Sequence, residues 1–532
     1  MKQKEKKGSD QIRETNELHT ELGKRVIKYH RIYENGVLKE KTGYDYKDGA
    51  NPYCVTNERR YFLADGGNLE QSGEYAETIY QYSSPSGTNS RYTHNFISKE
   101  QTDMRDADGK PCDPIKEEFQ YDNWGRLISK KDSRNQVSTY RYDELGRIVA
   151  ETLPPIDGKQ AVNETYYNDS LNYITETDAN HQKKRIQYTP FGQIQQVCLA
   201  VSNEPTSGDV VLQDFRYNSW GELTEAVTYD GIGTAADNIR KTERYSYDSF
   251  GRVLSYTIPQ VGYEEKHEYN EVFTDPADGM KYFREVKKGH RRRSAPDIVT
   301  ECYKDQKDQV RKELLDGERV FTYKYDNAGN NISKIDDRNT EHFEYDYAGR
   351  VVKSIRTDSG QERITSIQYD ALGNKRFQWD EAGKRTEFQY DKAGRLVQTL
   401  APFDHRSQKV KYYYDGAGNI IWEKKAQKDG WQETQYVYDA RNRLTDTYQY
   451  LSPGNWIKTI CRYDAMNQVI LRRTGDTPSG EGREVTKYTY DRFGNVTAMT
   501  DARGCTEYYE YDKAGRLQKK NGQKQRPDHL SA

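Results

Sequence analysis

The stretch EFQYDKAGRLVQTL, Glu387 to Leu400, decides the fold, because its centre recurs along the chain. QYDNWGRLIS starts at Gln120, RYDELGRIVA at Arg141, SYDSFGRVLS at Ser246, EYDYAGRVVK at Glu344 and EYDKAGRLQK at Glu510. Asp-x-x-Gly is turn chemistry: the Asp side chain accepts from backbone N–H groups of its own turn, and the Gly supplies the positive φ of a bulged hairpin. The pairs predicted to turn are Asp122/Gly125, Asp143/Gly146, Asp248/Gly251, Asp326/Gly329, Asp346/Gly349, Asp370/Gly373, Asp391/Gly394, Asp415/Gly418, Asp491/Gly494 and Asp512/Gly515. Where Gly is missing, Asn442 and Asn467 stand in its place, and Asn is a favoured non-Gly residue at positive φ. Variants at Tyr188 (QYTPFGQI) and Tyr217 (RYNSWGEL) fill much of an early gap in the series.

A second turn class alternates with the first: Asp132 to Asn135, Asp178 to His181, Asp336 to Asn339, Asp380 to Gly383 and Asp501 to Gly504. Its fourth residue belongs to the same set that tolerates positive φ. Between the two classes lies room for a strand of about six residues, so each repeat reads strand, turn, strand, turn. An aromatic usually stands two residues before the repeat tyrosine, as in Phe119/Tyr121, Phe388/Tyr390 and Tyr412/Tyr414, with a mostly polar residue between. Period two puts both rings on one face of a strand. The repeat tyrosines, Tyr121, Tyr142, Tyr247, Tyr325, Tyr345, Tyr369, Tyr390, Tyr414, Tyr438, Tyr463, Tyr490 and Tyr511, are expected to form an aromatic ladder. Their rings stack on neighbouring strands and their hydroxyls stay in water in this reading. The Arg after the turn Gly (Arg126, Arg147, Arg252, Arg350, Arg395, Arg516) reads equally well as a cation–π partner or as a solvated charge.

Composition bounds the function. The 532 residues carry a net charge of −2, 31% of them are charged, and mean hydropathy is −1.13. Such polarity suggests disorder, but the 45 tyrosines do not fit that class. The near-neutral charge gives no electrostatic case for nucleic acid or a membrane surface, and no run of about 18 apolar residues spans a bilayer. The first residues, MKQKEKKGSDQIRETNELH, lack the apolar segment of a secretory signal. Six scattered cysteines form neither a metal motif nor a disulfide framework, and nine histidines include no HExxH. Asp106-x-Asp108-Gly echoes a calcium loop but lacks the downstream bidentate Glu. The aspartates are spaced by turns, so no acid–base pair stands out. No catalytic, cofactor or metal site is assigned, and the chain reads as a non-enzyme.

The repeat resembles the YD repeats of Rhs proteins, known from bacterial Rhs and wall-associated polymorphic toxins, from B and C components of insecticidal toxin complexes, and from the teneurin ectodomain. It runs clearly from Glu117 to Leu517 and more weakly between Gly262 and Val320. The resemblance implies an all-β array of antiparallel hairpins forming a spiralling sheet, here an incomplete hollow shell that encloses or delivers a toxic polypeptide. It implies a polypeptide cargo or a second Rhs-type chain as partner, and a secreted or cell-surface location. Self-cleaving members carry a core with an Asp-Pro-x-Gly-Leu-like motif after the repeats; the sequence ends at NGQKQRPDHLSA without it, so self-cleavage is not expected. A carbohydrate-binding or adhesion module is the alternative, since tyrosine-rich faces stack on sugar rings.

The expected divisions are 1–24, a charged segment, helical or disordered; 25–116, degenerate β repeats; 117–259, YD repeats; 260–320, an irregular insertion or degenerate repeats; 321–517, regular YD repeats; and 518–532, a disordered tail. Within the insertion, KKGHRRRSAPD reads as a solvated basic loop and RKELLDGE from Arg311 as a helical turn.

Overall fold

The structure, a computed structural model, describes residues 12–19, 26–48, 53–62, 69, 72, 74–82, 96–229, 239–289, 297–403, 406–428, 430–482, 484–491, 494–511 and 517–523. Within them the chain makes 40 β-strands, from Ile12–Leu18 to Leu517–Gln523, and one single-turn 3-10 helix at Pro259–Val261. Each strand pairs antiparallel with the one before it and the one after it, so the molecule is one meandering ribbon of a single sheet.

The repeat turns build this ribbon. In the hairpin joining Ile115–Tyr121 to Leu127–Lys131, the Gly125 N–H donates to the Asp122 carbonyl at 3.0 Å, and φ at Gly125 is 80°. Asp122 Oδ1 accepts from the backbone N–H groups of Trp124 and Arg126. Tyr121 lies opposite Leu127 but Gln120 opposite Ser129, which leaves Ile128 as the extra residue of a bulge. φ is likewise positive at Gly146, Gly251, Gly329, Gly349, Gly373, Gly394, Gly418 and Gly494, and at Asn442 and Asn467. Asp512 and Gly515 lie outside the described residues. In the second class, Asn135, His181, Gly383 and Gly504 also have positive φ. Asn339 does not follow them. There the Asp336 N–H reaches the Asn339 carbonyl, a loop one residue shorter than at Asp132, and Asn339 opens the next strand.

Antiparallel meandering puts every Tyr-Asp turn on one edge of the ribbon, here the YD edge, and the second turn class on the opposite edge. Contacts between residues 284 to 312 positions apart then join the two edges. The Tyr347 hydroxyl, in a YD-edge turn, donates to Glu40 at 2.6 Å. Lys392 pairs with Asp103, and Lys411 with Asp108. Arg441 donates to the Pro154 carbonyl at 3.1 Å, Arg134 to the Asp439 carbonyl at 2.9 Å, and Asn180 to Asp464 at 3.2 Å. These contacts step along the chain in order, so the ribbon coils and its second revolution rests its YD edge on the opposite edge of the first. From Lys183–Tyr188 to Asn455–Tyr463 one revolution takes about 23 strands.

A ribbon one layer thick has little interior. The chain exposes 33385 Å², whereas a compact monomer of 62.1 kDa exposes about 20,000 Å². Among the described residues, Tyr173 and Met104 are the largest fully buried side chains.

Several expectations from sequence are corrected. Ile12–Leu18, inside the segment expected to be helical or disordered, is a strand paired with Ile27–Glu34. Leu517–Gln523, whose residues beyond Leu517 lie in the expected tail of 518–532, pairs with Thr506–Tyr511. Val310–Leu315, expected to include a helical turn, is a strand, because Thr322 and Phe321 on the next strand pair with Lys312 and Glu313. The region 260–320 continues the ribbon through Tyr263–Thr274, Lys281–Gly289 and Ile298–Lys304, while most of the basic run, from His290 onward, lies outside the described residues.

Candidate functional site: the YD-edge seam and the junction between revolutions

Along the YD edge each repeat clasps the next through three side chains. The turn Asp, its carboxylate fixed by backbone N–H groups, faces the guanidinium that follows the Gly. Asp–Arg Nε–Oδ2 distances are 2.7 Å for Asp122–Arg126, Asp143–Arg147, Asp346–Arg350, Asp391–Arg395 and Asp439–Arg443. That Arg then covers the repeat tyrosine of the next hairpin. Its Cζ lies 4.9 Å from the Tyr142 centroid for Arg126, 4.4 Å from Tyr269 for Arg252, 4.5 Å from Tyr369 for Arg350, 4.7 Å from Tyr414 for Arg395 and 4.9 Å from Tyr463 for Arg443. Of the two readings of these arginines, the structure realises the cation–π contact. Arg126, Arg395 and Arg443 also donate onward to the carbonyls of Asp143, Asp415 and Asp464 in the next YD-edge turn.

The tyrosine closes the clasp. The Tyr142 hydroxyl donates to the Leu127 carbonyl at 2.7 Å, and the same bond joins Tyr345 to Asn331, Tyr414 to Leu396, Tyr438 to Ile420, Tyr463 to Leu444, Tyr490 to Val469 and Tyr511 to Val496. The acceptor stands next to the bulge, where the ladder is interrupted and a carbonyl needs a donor. This corrects the expectation of wet hydroxyls. It also corrects the picture of ring stacked on ring: at the arginine-bearing repeats a guanidinium covers the phenol. The other aromatics of these strands end on carboxylates, as in Tyr323–Glu313 at 2.6 Å and Tyr256–Glu243 at 2.5 Å. Ring stacking of the expected kind occurs at Tyr245–Tyr256, with centroids 5.0 Å apart.

Two parts of the seam escaped sequence reasoning. At four repeats where no Arg follows the Gly, Asn takes over: Asn330, Asn374, Asn419 and Asn495 donate through Nδ2 to Asp326, Asp370, Asp415 and Asp491. The signal was present as Gly-Asn at each of those repeats. The other part is the turn Asp305 to Asp308, where Asp308 takes φ 59° and Arg311 bonds Asp305 and covers Tyr325 at 5.0 Å.

The electrostatics follow from this geometry. Hydrogen bonds from the Arg147 backbone N–H, opposed by burial and reinforced by its guanidinium, hold the Asp143 carboxyl below its ordinary range. Burial pushes the Tyr142 phenol up, and the nearby Asp122 carboxylate adds to the shift. At the junction, Lys392 lowers Asp103, while Lys411 and then Tyr413 lower Asp108. The calcium-loop echo is thus taken up: Asp106 Oδ1 accepts from the backbone N–H groups of Asp108 and Lys110, and Asp108 binds the next revolution. A cleft of about 540 Å³ lies in the junction between Ser133, Tyr140 and Pro154 on one side and Gly416, Arg441 and Asn442 on the other. Among the described residues no three His, Cys, Asp or Glu side chains group as metal ligands. Burial pushes the Cys198 thiol up to about 11, away from the thiolate a nucleophile needs.

Comparison with known proteins agrees with this architecture. A family model described as Teneurin YD-shell matches residues 304–477, and one described as RHS Repeat matches 121–154 and 477–507. These matches identify Rhs-type YD repeats within residues 121–154 and 304–507. This YD chain is 22% identical over 408 residues to the double-stranded DNA deaminase toxin A of Burkholderia cenocepacia, covering 73% of this chain and 24% of the relative. It is 25% identical over 278 residues to the probable deoxyribonuclease RhsB of Dickeya dadantii, covering 51% of this chain and 16% of that one. The YD chain therefore spans a quarter or less of the length of either relative. Among solved structures it is similar to the TcdB2-TccC3 complex, at a TM-score of 0.32 and 13% identity over 98% of this chain and 35% of that one. No helix among the described residues is long and apolar enough to cross a membrane.

Proposed function

We propose that the YD chain is a non-catalytic scaffold, a length of shell wall that encloses or delivers a toxic polypeptide in competition between bacteria or in intoxication of a host. One observation carries this reading: a single-layer ribbon returns onto itself after about 23 strands. At about 4.8 Å per strand an evenly coiled revolution measures about 110 Å around and about 35 Å across. That width suits an extended polypeptide or a small domain, for a folded 100-residue chain has a radius of gyration of about 13 Å. The clasped YD edge gives such a wall stiffness without a second layer. The partner is then a polypeptide cargo or a second Rhs-type chain, and the place of action is outside the producing cell or on its surface. The relatives named as a DNA deaminase toxin and a deoxyribonuclease support this, because the YD chain matches only part of each.

Electron cryomicroscopy of the purified chain tests the reading. Class averages viewed along the coil axis should show a ring with a low-density centre. Solid particles of the same mass would contradict it.

A further inference from the structure

We infer that the part of the YD edge lying ahead of the junction is a docking surface for a second copy of this chain. The third position of the Asp-x-x-Gly turn changes character along the edge. In the second revolution, where this edge rests on the first, four of these positions are Ala328, Ala348, Ala393 and Ala417, with Leu372, Arg441 and Met466 at the others among the described residues, and the Leu372 carbonyl accepts from Arg60 of the first revolution. In the first revolution it includes Leu145, Phe191, Trp220 and Phe250, which are 73%, 91%, 88% and 77% exposed, and Trp124, with Lys307 as the polar exception. These side chains stand at the tips of rigid hairpins. Turns joined directly by two strands follow one another at about 10 Å along the edge, since each strand adds about 4.8 Å. A row of large apolar tips on so polar a chain is the mark of a contact surface.

The occupant is argued from the coil itself. Inside the molecule the YD edge already binds the opposite edge, as the Lys392–Asp103 and Tyr347–Glu40 contacts show. Those contacts run from Tyr347 and Glu40, beside a cleft lined by Ala328, Ile12 and Glu14, to Asn180 on the opposite edge. The same stacking step, repeated between molecules, brings the apolar tips of one copy against the later opposite edge of another. That later edge carries Val261, Trp431 and Leu451, with Leu451 64% exposed. Charge agrees with this choice. Arg147 and Arg252, beside the apolar tips, are held by Asp143 and Asp248 rather than turned to an anionic lipid, which suits a protein edge. Each large ring offers roughly 150–250 Å², so the two edges together bury on the order of 1,000 Å², the lower range of a specific interface. The contact is head-to-tail and does not close, so each added copy presents the same two edges again.

Sedimentation velocity of the whole chain from about 1 µM to about 100 µM tests this. The expected result is a concentration-dependent series of dimers and longer assemblies. The double variant Phe191→Ser/Trp220→Ser, altered only at exposed tips, raises the apparent dissociation constant at least about tenfold. So does Trp431→Ser/Leu451→Ser on the other edge. Mixing the two variants leaves one intact pair of edges and yields assemblies that stop at two copies. A chain that stays monomeric throughout, or assembles regardless of these substitutions, overturns the inference, as does a monomer that instead floats with neutral phosphatidylcholine vesicles. None of these results bears on the ring with a low-density centre, which is a property of one chain.

Discussion

The hydroxyl of Tyr414 donates to the carbonyl of Leu396 at 2.6 Å, across a hairpin boundary 18 residues long. The bond explains why the repeat specifies Tyr where Phe would bury the same ring. It satisfies an acceptor that the neighbouring bulge would otherwise leave bare, and it sets the spacing of consecutive hairpins. Tyr414→Phe should therefore destabilise by about 1 kcal/mol in urea denaturation, the net value of one such bond. No change would mean that water serves that carbonyl equally well.

Arg395 tests the clasp from its other side. The Asp391 side chain it pairs with is 1% exposed. Arg395→Ala leaves that carboxylate buried without its counter-ion and uncovers Tyr414, so it should cost about 3 kcal/mol. Arg395→Asn should cost less, since Asn fills this place beside Asp370 and Asp415. Equal losses in the two variants would remove the clasp from the account.

Glycines at two kinds of position should respond differently. Gly394 has φ 79°, and a Cβ added there would meet only the Asn374 amide oxygen, at 3.5 Å, so backbone strain decides. Gly394→Val should cost more than about 1 kcal/mol and Gly394→Asn clearly less. At Gly416 a Cβ would stand 2.6 Å from Ser133 Cβ on the other revolution. Gly416→Ala should wedge the junction, raising amide exchange around Ser133 while the hairpin at Asp415 keeps its protection. Unchanged exchange at Ser133 would argue against contact between revolutions.

Acid should loosen the ribbon. Asp143 at the seam and Asp103 and Asp108 at the junction have carboxyls lowered by their partners. A depressed folded-state value gives stability that is fully present above the unfolded carboxylate range and is lost as pH falls toward the folded value. Urea midpoints should hold steady from pH 7 to about 5 and fall below about pH 4. A midpoint that rises on acidification would contradict these assignments.

Strand order and pairing were legible because a hairpin is a local object: Asp122 and Gly125 state the turn, and Phe119 and Tyr121 state the face. Ile12–Leu18 escaped notice because IRETNEL carries few apolar residues and gains its order from pairing with Ile27–Glu34. The hairpin at Asp308 escaped because Asp replaces Gly there. The partner of Tyr414 was hidden for a different reason. A phenol and a carbonyl 18 residues away meet only once the bulge and the pleat are both in place. The junction is the least local feature of all. That Asp103 meets Lys392 depends on small strand twists summed over an entire revolution, which no short stretch encodes.

The coiling is the central claim, and one distance tests it most directly. Fluorophores attached through unnatural residues at Val137 and Ala417, on either side of the junction cleft, report whether the revolutions meet. The coiled ribbon predicts efficient energy transfer, with the dyes within about 30 Å of one another. An uncoiled ribbon would hold these positions about 100 Å apart at about 4.8 Å per strand, and transfer too weak to measure would contradict the account.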